Sequence, residues 1–504
     1  MQRRIFIGIA WIAVMALALW LRIDDLEARP IHADEATGAY FLSQRLENSG
    51  YRFDPTHFHG PLLSLISTPL AKIFGQHNWL ELSLGMLRLG PVVAGLLTVL
   101  TPLLWLRRIG PVAALGAGAL LASSPLLVYY NRMFIHESWL VLFGMLTAAA
   151  VYEVIHRPNR KRALLAGLAA GLMFATKSTV AISLLSWCLA GGCCWLLLRR
   201  DSERLEQAPT FSAYLKPALW FALALLATGT LFYTNGFRQP GGIVDAIRTY
   251  FVYETTPGHD KPMGYYFELL VWPKQMIGMR WSEAGVALLG MLTCLSVIRR
   301  KERQPLIAFM AIGVLLHLLI YSLISYKTPW LMSLPWALAC LLAGCVFSRN
   351  GTGAGYAKSL LLYAGFGLIL IFQTYQSMHS SGRLANHPDN PYVYVPTSKN
   401  MVQLPSWLAD LEAFQGGDLG MIAVVGQGYW PLPWYLRGFG PVGYWPEAPE
   451  GLSQFPLVFS LPENTPACRE LLEETHTQLP RSLRHNVPLN LFLSNDIWKA
   501  WTEQ

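Results

Sequence analysis

Charge is what this chain has least of. Only 14% of its 504 residues are Asp, Glu, Lys or Arg, against about 25% in soluble globular domains. Hydrophobic residues make up 53%, and mean hydropathy is +0.34. A single soluble domain is excluded and a polytopic membrane protein is implied. The formal charge of +8 sits in short loops between apolar runs, where basic residues set topology, so nucleic acid is not an expected partner. Cysteine is scarce and unpatterned. Cys188, Cys193, Cys194, Cys294, Cys340 and Cys345 lie in apolar runs, and only Cys468 lies in a polar region. That spacing offers neither a disulfide framework nor a zinc site, and the cysteines read as small buried hydrophobes. The first apolar run lacks a small-residue cleavage site after it, which makes it an uncleaved helix. Gly426-Gln427-Gly428 lacks the third glycine and helix of a phosphate loop, since Tyr429-Trp430-Pro431 follows. No nucleotide cofactor is expected.

What the chain has in quantity is apolar runs. The first, Ile5 to Leu21, follows Arg3 and Arg4. Further runs lie at Leu89–Leu106, Val112–Tyr129, Trp139–Ile155, Ala163–Ala175, Val180–Leu198, Pro217–Phe232, Ala284–Ile298, Leu306–Leu323, Leu331–Phe347 and Ser359–Phe372. The expected fold is therefore a polytopic α-helical membrane protein of about eleven transmembrane helices. Two shorter apolar pieces between Tyr51 and Arg88, broken by Pro69, Gly75, Gln76 and Glu81, are expected to lie in the interface. Arg107/Arg108, Arg157 to Arg162, Arg199/Arg200, Arg299 to Arg303 and Arg349/Lys358 fall in alternate loops. With the N-terminus cytoplasmic, that is the positive-inside pattern of a multi-pass protein of the plasma (inner) membrane.

The region from about Gln373 onward has soluble character and falls on the outer side. Met421–Val425, Leu457–Leu461 and Leu489–Leu493 are strand-length runs, and Leu404–Phe414 and Cys468–Leu479 have helical spacing. The expected division is residues 1–375 as the transmembrane domain, with outer loops 22–88 and 234–283, and residues 376–504 as a small extracytoplasmic α/β domain.

The candidate chemistry gathers in the outer loops. His32-Ala33-Asp34-Glu35 follows the first helix at once. A carboxylate there can accept a proton from an attacking hydroxyl or hold a metal. It can equally solvate a loop, the reading that also suits Asp24, Asp25 and Glu27. Lys177 and Lys327 stand so close to apolar runs that each needs an anionic partner, a wet cavity or a lipid phosphate reached by snorkelling. Arg88 and Arg132 lie near helix ends, and together these cations suit an anionic lipid head. His57, His59, His136, Glu137, Glu254, His259 and Lys261 complete the outer set. A carboxylate base with several cations suits group transfer from a lipid phosphate, whose leaving group needs positive charge and no general acid.

The motifs His32-Ala33-Asp34-Glu35-Ala36, Asp54-Pro55 with His59-Gly60-Pro61, Ala175-Thr176-Lys177, Tyr326-Lys327-Thr328-Pro329-Trp330-Leu331 and Trp430-Pro431-Leu432-Pro433-Trp434-Tyr435-Leu436-Arg437 span nearly the whole chain. In combination they resemble the GT-C glycosyltransferases of family 39, the protein O-mannosyltransferase and aminoarabinose lipid A transferase type. Within it they are most similar to a prokaryotic subfamily labelled flippase-activity-associated. The resemblance implies an inverting transferase that takes a hexose or pentose from a polyprenyl-phosphate-linked sugar. Asp34 matches the catalytic base, with Glu35 beside it. His59-Gly60-Pro61 stands where the aminoarabinose enzymes carry Glu-Lys-Pro, and His259-Asp260-Lys261-Pro262 resembles a later metal-site loop. His59 and His259 are thus the candidate ligands of a divalent metal ion, although a His replaces a Glu and the following lysine is lost. The donor phosphate falls to Lys177, Lys327, Lys261, Arg132 and Tyr326. Recognition of sugar or acceptor falls to His32, His57, Glu254, Trp430 and Trp434, since aromatic rings stack on sugar faces as readily as they fill a core. The alternative is a non-enzymatic flippase, or a component associated with one, that handles lipid-linked sugars. Membrane lipid and an acceptor of unspecified kind are the remaining expected partners.

Overall fold

A computed structural model of the chain describes residues 2–48, 50–56, 59–198, 210–252, 258–299, 304–348 and 356–503. The protein is a multi-pass helical membrane protein. Among the described residues, eight helices are long and apolar enough to span a bilayer, or nine if one bent pair counts as a single span. Arg160–Thr176, with 17 residues, and the apolar stretch Ala284–Ile298 are the expected spans that fall short of that length. A total of about eleven is reached only by including both.

The first helix, α1 (Gln2–Ile23), leads through a short turn into α2 (Ala33–Leu46). One helix, α3 (Leu62–Ile73), stands where two interfacial pieces are expected. The second piece is a closed turn. Gln76 Nε2 donates to Ser83 Oγ at 2.8 Å, and Ser83 N donates back to Gln76 Oε1 at 3.0 Å. Ser83 then caps α4 (Leu84–Leu100).

The expected span Val112–Tyr129 is two helices, Pro111–Ser123 and Pro125–Asn131, bent by 60°. Pro125 supplies no amide to the first helix and is pre-set for the first turn of the second. Buried ionic side chains satisfy both broken ends. Arg22, at the end of α1, donates from Nη1 to Ala122 O at 3.0 Å and from Nη2 to Leu121 O at 3.0 Å. Glu283 accepts from Ser124 Oγ at 2.6 Å, Leu126 N at 3.1 Å, Trp336 Nε1 at 2.7 Å and Tyr392 OH at 3.2 Å. A carboxylate at a helix N-terminus also complements the helix dipole. The bend aims the second helix, with Tyr129 and Tyr130, at residues 385–392: Tyr129 OH donates to Ala385 O at 2.9 Å and Tyr130 OH to Tyr392 O at 2.5 Å.

Two short strands, β1 (Lys274–Met276) and β2 (Met279–Trp281), form a hairpin ahead of Ala284–Arg299. The last long helix, Tyr356–Ser381, leads to a five-stranded sheet in the order β4-β3-β5-β7-β6. Its strands are β3 (Ile422–Val425), β4 (Val442–Trp445), β5 (Leu457–Ser460), β6 (His476–Arg484) and β7 (Val487–Ser494). The expected helix Cys468–Leu479 is corrected to a helix, Thr465–Leu472, followed by β6. Pro480 is tolerated there because β6 is an edge strand. Helix Lys399–Gln415 ends on Gly416 in the left-handed conformation. The apolar core is continuous from the bundle into the sheet. Leu404, Leu408, Ile422 and Leu432 belong to the same buried cluster as Leu63 and Leu127.

Candidate functional site

The site begins at the N-terminus of α2, where a capping box explains the sequence. His32 is the N-cap: its Nδ1 accepts from Asp34 N at 3.1 Å, and Glu35 Oε2 accepts from His32 N at 3.0 Å. With Nδ1 accepting, Nε2 carries the proton and donates to Tyr394 O at 3.0 Å. His32 is buried, with the Trp330 ring edge-on at 6.1 Å. It therefore orients the loop, and its ring is not open to a ligand.

The two adjacent carboxylates part company here. Glu35 is fully buried and held by Arg88 in a two-pronged pair, Nε to Oε1 and Nη2 to Oε2, both at 2.8 Å. Phe134 N adds a bond of 2.8 Å, and Arg29 lies at 3.7 Å. Burial alone raises a carboxyl pKa, but the guanidinia of Arg88 and Arg29 outweigh it and hold Glu35 at about 2. Every lone-pair direction of Glu35 is engaged, so it locks α2 to α4. The Asp34 side chain is 55% exposed. Of the pair, only Asp34 can meet a substrate.

Opposite Asp34, residues 258–262 are zipped to 324–328. Lys261 N donates to Ser325 O at 3.2 Å and Lys327 N to His259 O at 3.0 Å. The Lys327 ammonium closes this zipper on Lys261 O at 3.0 Å and on Ile324 O. Lys327 is only 2% exposed, so its charge is spent on backbone carbonyls. The zipper sets His259 between two rings, Tyr326 at 4.7 Å and Tyr394 at 5.3 Å, with Tyr394 OH bonded to Nδ1. Burial holds the His259 imidazole below its ordinary pKa, against the charge of Asp34, while the Lys261 ammonium lowers it further. Asp34, His259, Lys261, Tyr326 and Tyr394 thus share one mouth.

The C-terminal region frames that mouth. Thr397 Oγ1 donates to Ile31 O at 2.6 Å, and Tyr435 also bonds the Ile31 backbone. Arg484, at the end of β6, donates from Nη2 to Gly428 O at 2.8 Å and lies within electrostatic reach of Asp34.

A second polar cluster lies at the ends of helices Glu137–His156 and Arg160–Thr176. Lys177 forms a buried ion pair with Glu137. Gly60 packs on the end of Arg160–Thr176 so closely that a Cβ there would stand 2.1 Å from Ala175 O, which explains the glycine in His59-Gly60-Pro61. His136 Nε2 donates to Gly60 O at 3.1 Å, and the His59 and His136 rings meet edge-to-face at 5.3 Å. Burial, then the nearby Lys177 charge, depresses both imidazoles, His136 to about 3. Both are neutral at pH 7.

The comparisons with known proteins follow this architecture. ArnT from Cupriavidus metallidurans in the apo state superposes with a TM-score of 0.63 at 14% identity, over 96% of this chain and 98% of that one. The same protein bound to undecaprenyl phosphate gives 0.60 at 13% identity, over 98% of each. The chain therefore shares the fold of ArnT. AglB, the oligosaccharyltransferase of Archaeoglobus fulgidus, shares it at a TM-score of 0.52 and 13% identity in a complex with an inhibitory peptide and a dolichol-phosphate, over 95% of this chain and 73% of that one. The family model described as dolichyl-phosphate-mannose-protein mannosyltransferase matches residues 58–233, a region that begins after Asp34 and ends before His259. No curated protein matches the chain by sequence.

Within this fold the expected residues separate into groups. Asp34, His259, Lys261 and Tyr326 come together at the mouth. Lys177 and Lys327 are buried on partners of their own. Arg132, 5% exposed, donates to Leu21 O at 3.0 Å and to Asp25 O at 3.0 Å, which caps α1. Trp434 is buried between Trp79, at 5.5 Å, and the Arg437 guanidinium, at 3.5 Å, and it docks the C-terminal region on the α3–α4 turn. Trp430 is half-buried beside Tyr40 of α2 at 5.9 Å. His57 and Glu254 lie outside the described residues. His59 and His259 belong to different clusters, the first beside a buried ammonium and the second bonded to Tyr394. Among the described residues no group of three or more His, Cys, Asp and Glu is placed to hold an ion, so this donor set does not fit a metal held by His59 and His259. Sequence reasoning missed Tyr394, Trp330 as the support of His32, and Arg484. The Tyr392-Val393-Tyr394 run after the last long helix was a signal for the first; Arg484 offers none.

Proposed function

We propose that this protein is an inverting glycosyltransferase that moves a sugar from a polyprenyl-phosphate donor to an acceptor hydroxyl on the outer face of the membrane. The observation that carries the proposal is the division of labour in Asp34-Glu35. Glu35 is locked by Arg88, and this leaves Asp34 exposed at a mouth shared with His259 and Lys261. The likeness in fold to ArnT, whose structure with undecaprenyl phosphate is known, supports a lipid-phosphate donor.

In this reading Asp34 accepts the proton of the acceptor hydroxyl. The hydroxyl oxygen bonds to the anomeric carbon as the carbon–oxygen bond to phosphate breaks on the opposite side. The electron pair leaves with the phosphate, whose growing charge Lys261 stabilises. Tyr326 and Tyr394 hold His259 in place beside them. Lys177 and Lys327, expected from the sequence to hold the phosphate, are replaced in this role because each ammonium already has a buried partner.

The test uses purified protein in lipid nanodiscs with a panel of polyprenyl-phosphate sugars, and mass spectrometry follows release of polyprenyl phosphate. Wild type releases it from at least one donor, and Asp34→Asn slows release by about 100-fold or more, the range of a lost general base. Equal release by both removes Asp34 from the mechanism. Donor binding without release from either favours a non-enzymatic flippase component.

A further inference from the structure

The C-terminal sheet carries a site that the donor chemistry leaves unused. Strands β4, β3 and β5 run parallel and adjacent in that order. From β3 the chain crosses one way to β4, and from β5 it leaves the other way toward β6. The carboxyl ends of β3 and β5 therefore flank the point where the connections diverge. In open α/β sheets, ligands bind in the crevice at that point.

The residues there are built as a site. Gly426 and Gly428 have φ of 122° and 69°, conformations open to glycine. A Cβ on Gly426 would stand 2.7 Å from Leu461 Cβ. This turn sets Gln427 N on Glu463 Oε1 at 3.0 Å and Gly428 O on Arg484 Nη2 at 2.8 Å. Gln427, Gly428 and Glu463 are exposed. Arg484 Nε is buried without an acceptor. Asp34 and Glu463 both act on the Arg484 charge, which puts the crevice beside the proposed base. The turn continues into Tyr429 and Trp430, and Trp430 faces Tyr40 on the helix that carries Asp34.

We infer that this crevice is the acceptor subsite and that it takes a carbohydrate. A sugar ring presents hydroxyls that both donate and accept, and one apolar face. Glu463 accepts from hydroxyls, Arg484 donates to their oxygens, and the Tyr429–Trp430 turn covers the face. A phosphorylated or otherwise anionic acceptor is disfavoured, because Glu463 and Asp34 bracket the single guanidinium. The assignment rests on the transferase reading given above.

The experiment uses the full chain in nanodiscs and saturation-transfer NMR with methyl α-mannopyranoside, methyl β-glucopyranoside, methyl β-galactopyranoside and methyl N-acetyl-β-glucosaminide, with inorganic phosphate as the anionic control. At least one glycoside receives saturation at its ring protons, and phosphate does not compete with it. Glu463→Gln and Arg484→Gln each weaken binding about tenfold or more, as expected for a lost hydrogen bond to a charged group. Arg484→Lys restores part of it. Independently of whether those variants fold well, alkylation of Gln427→Cys, an exposed side chain on the same turn that the proposal does not use for binding, is slowed by saturating glycoside. Absence of saturation for every glycoside, binding indifferent to both variants, or unslowed alkylation overturns the inference. Glycoside binding that obeys the variants without donor turnover in wild type removes the transferase reading and leaves a carbohydrate site. Donor turnover with binding indifferent to the variants does the reverse.

Discussion

Arg88 grips Glu35 through two parallel hydrogen bonds of 2.8 Å, with both side chains at 0% exposure. Removing one partner of such a pair leaves an uncompensated buried charge and costs about 3–5 kcal/mol. Glu35→Gln is therefore expected to lower thermal stability sharply in nanodiscs, whereas Asp34→Asn, one residue away, leaves it unchanged. Unfolding followed by intrinsic fluorescence separates the two. Equal melting of Glu35→Gln and wild type contradicts the structural role of Glu35.

The Lys177–Glu137 pair makes a related prediction. Lys177→Met strands the Glu137 carboxylate in a site where Lys177 is 3% and Glu137 4% exposed, and stability falls by a similar amount. Adding Glu137→Gln removes the stranded charge and recovers most of the loss, as a double-mutant cycle reads. If Lys177 instead served the donor phosphate alone, the single variant would melt normally and lose only donor affinity.

Lys327→Met tests the zipper. Its ammonium ties residues 258–262 to 324–328, so hydrogen exchange in 258–262 is expected to quicken. Misplacing His259 and Lys261 by about an ångström slows transfer by up to about 100-fold. Slower transfer with unchanged exchange would assign Lys327 to the substrate instead.

Stability depends on pH through the second cluster. His59 and His136 are depressed in the folded chain, His136 to about 3, from an ordinary 6.5. As pH falls through 6.5 the unfolded chain takes up protons that the folded chain refuses, so folding weakens. The contribution is complete above pH 6.5 and declines below it. Glu35, at about 2 against an ordinary 4.5, adds a further decline below pH 4.5. Melting temperatures between pH 7.5 and 5 should fall, and His59→Gln with His136→Gln should flatten that slope.

Much of the architecture was legible because a bilayer demands long apolar runs, and these stand out without knowledge of tertiary contacts. Pro125, which cannot continue the preceding helix, was a signal for the bend that the expected single span Val112–Tyr129 did not use. The roles of charged residues were harder to read. Asp34 and Glu35 look alike in sequence, and only the capping-box spacing from His32 to Glu35 distinguishes the locked carboxylate from the open one. Lys177 and Lys327 read as donor-phosphate cations because the partners that hold them are distant in sequence: Glu137 is 40 residues away, and the Lys261 carbonyl is 66 away. The turn from Thr465–Leu472 into β6 was hidden because Leu472 and Leu479 stand seven apart, a helical spacing, with only polar residues between them. Arg484 was invisible because a lone arginine on an edge strand carries no local signal.

The bond from Thr397 Oγ1 to Ile31 O joins residues 366 positions apart. Ribosomal synthesis delivers the loop bearing Asp34 among the first segments and its support among the last. The nascent protein therefore carries the Asp34 loop held by Arg88 and Phe134 through most of translation, and the Thr397 bond forms only when the C-terminal region docks. A chain cut short before Thr397 would already span the bilayer many times, yet the loop that bears Asp34 would lack this brace.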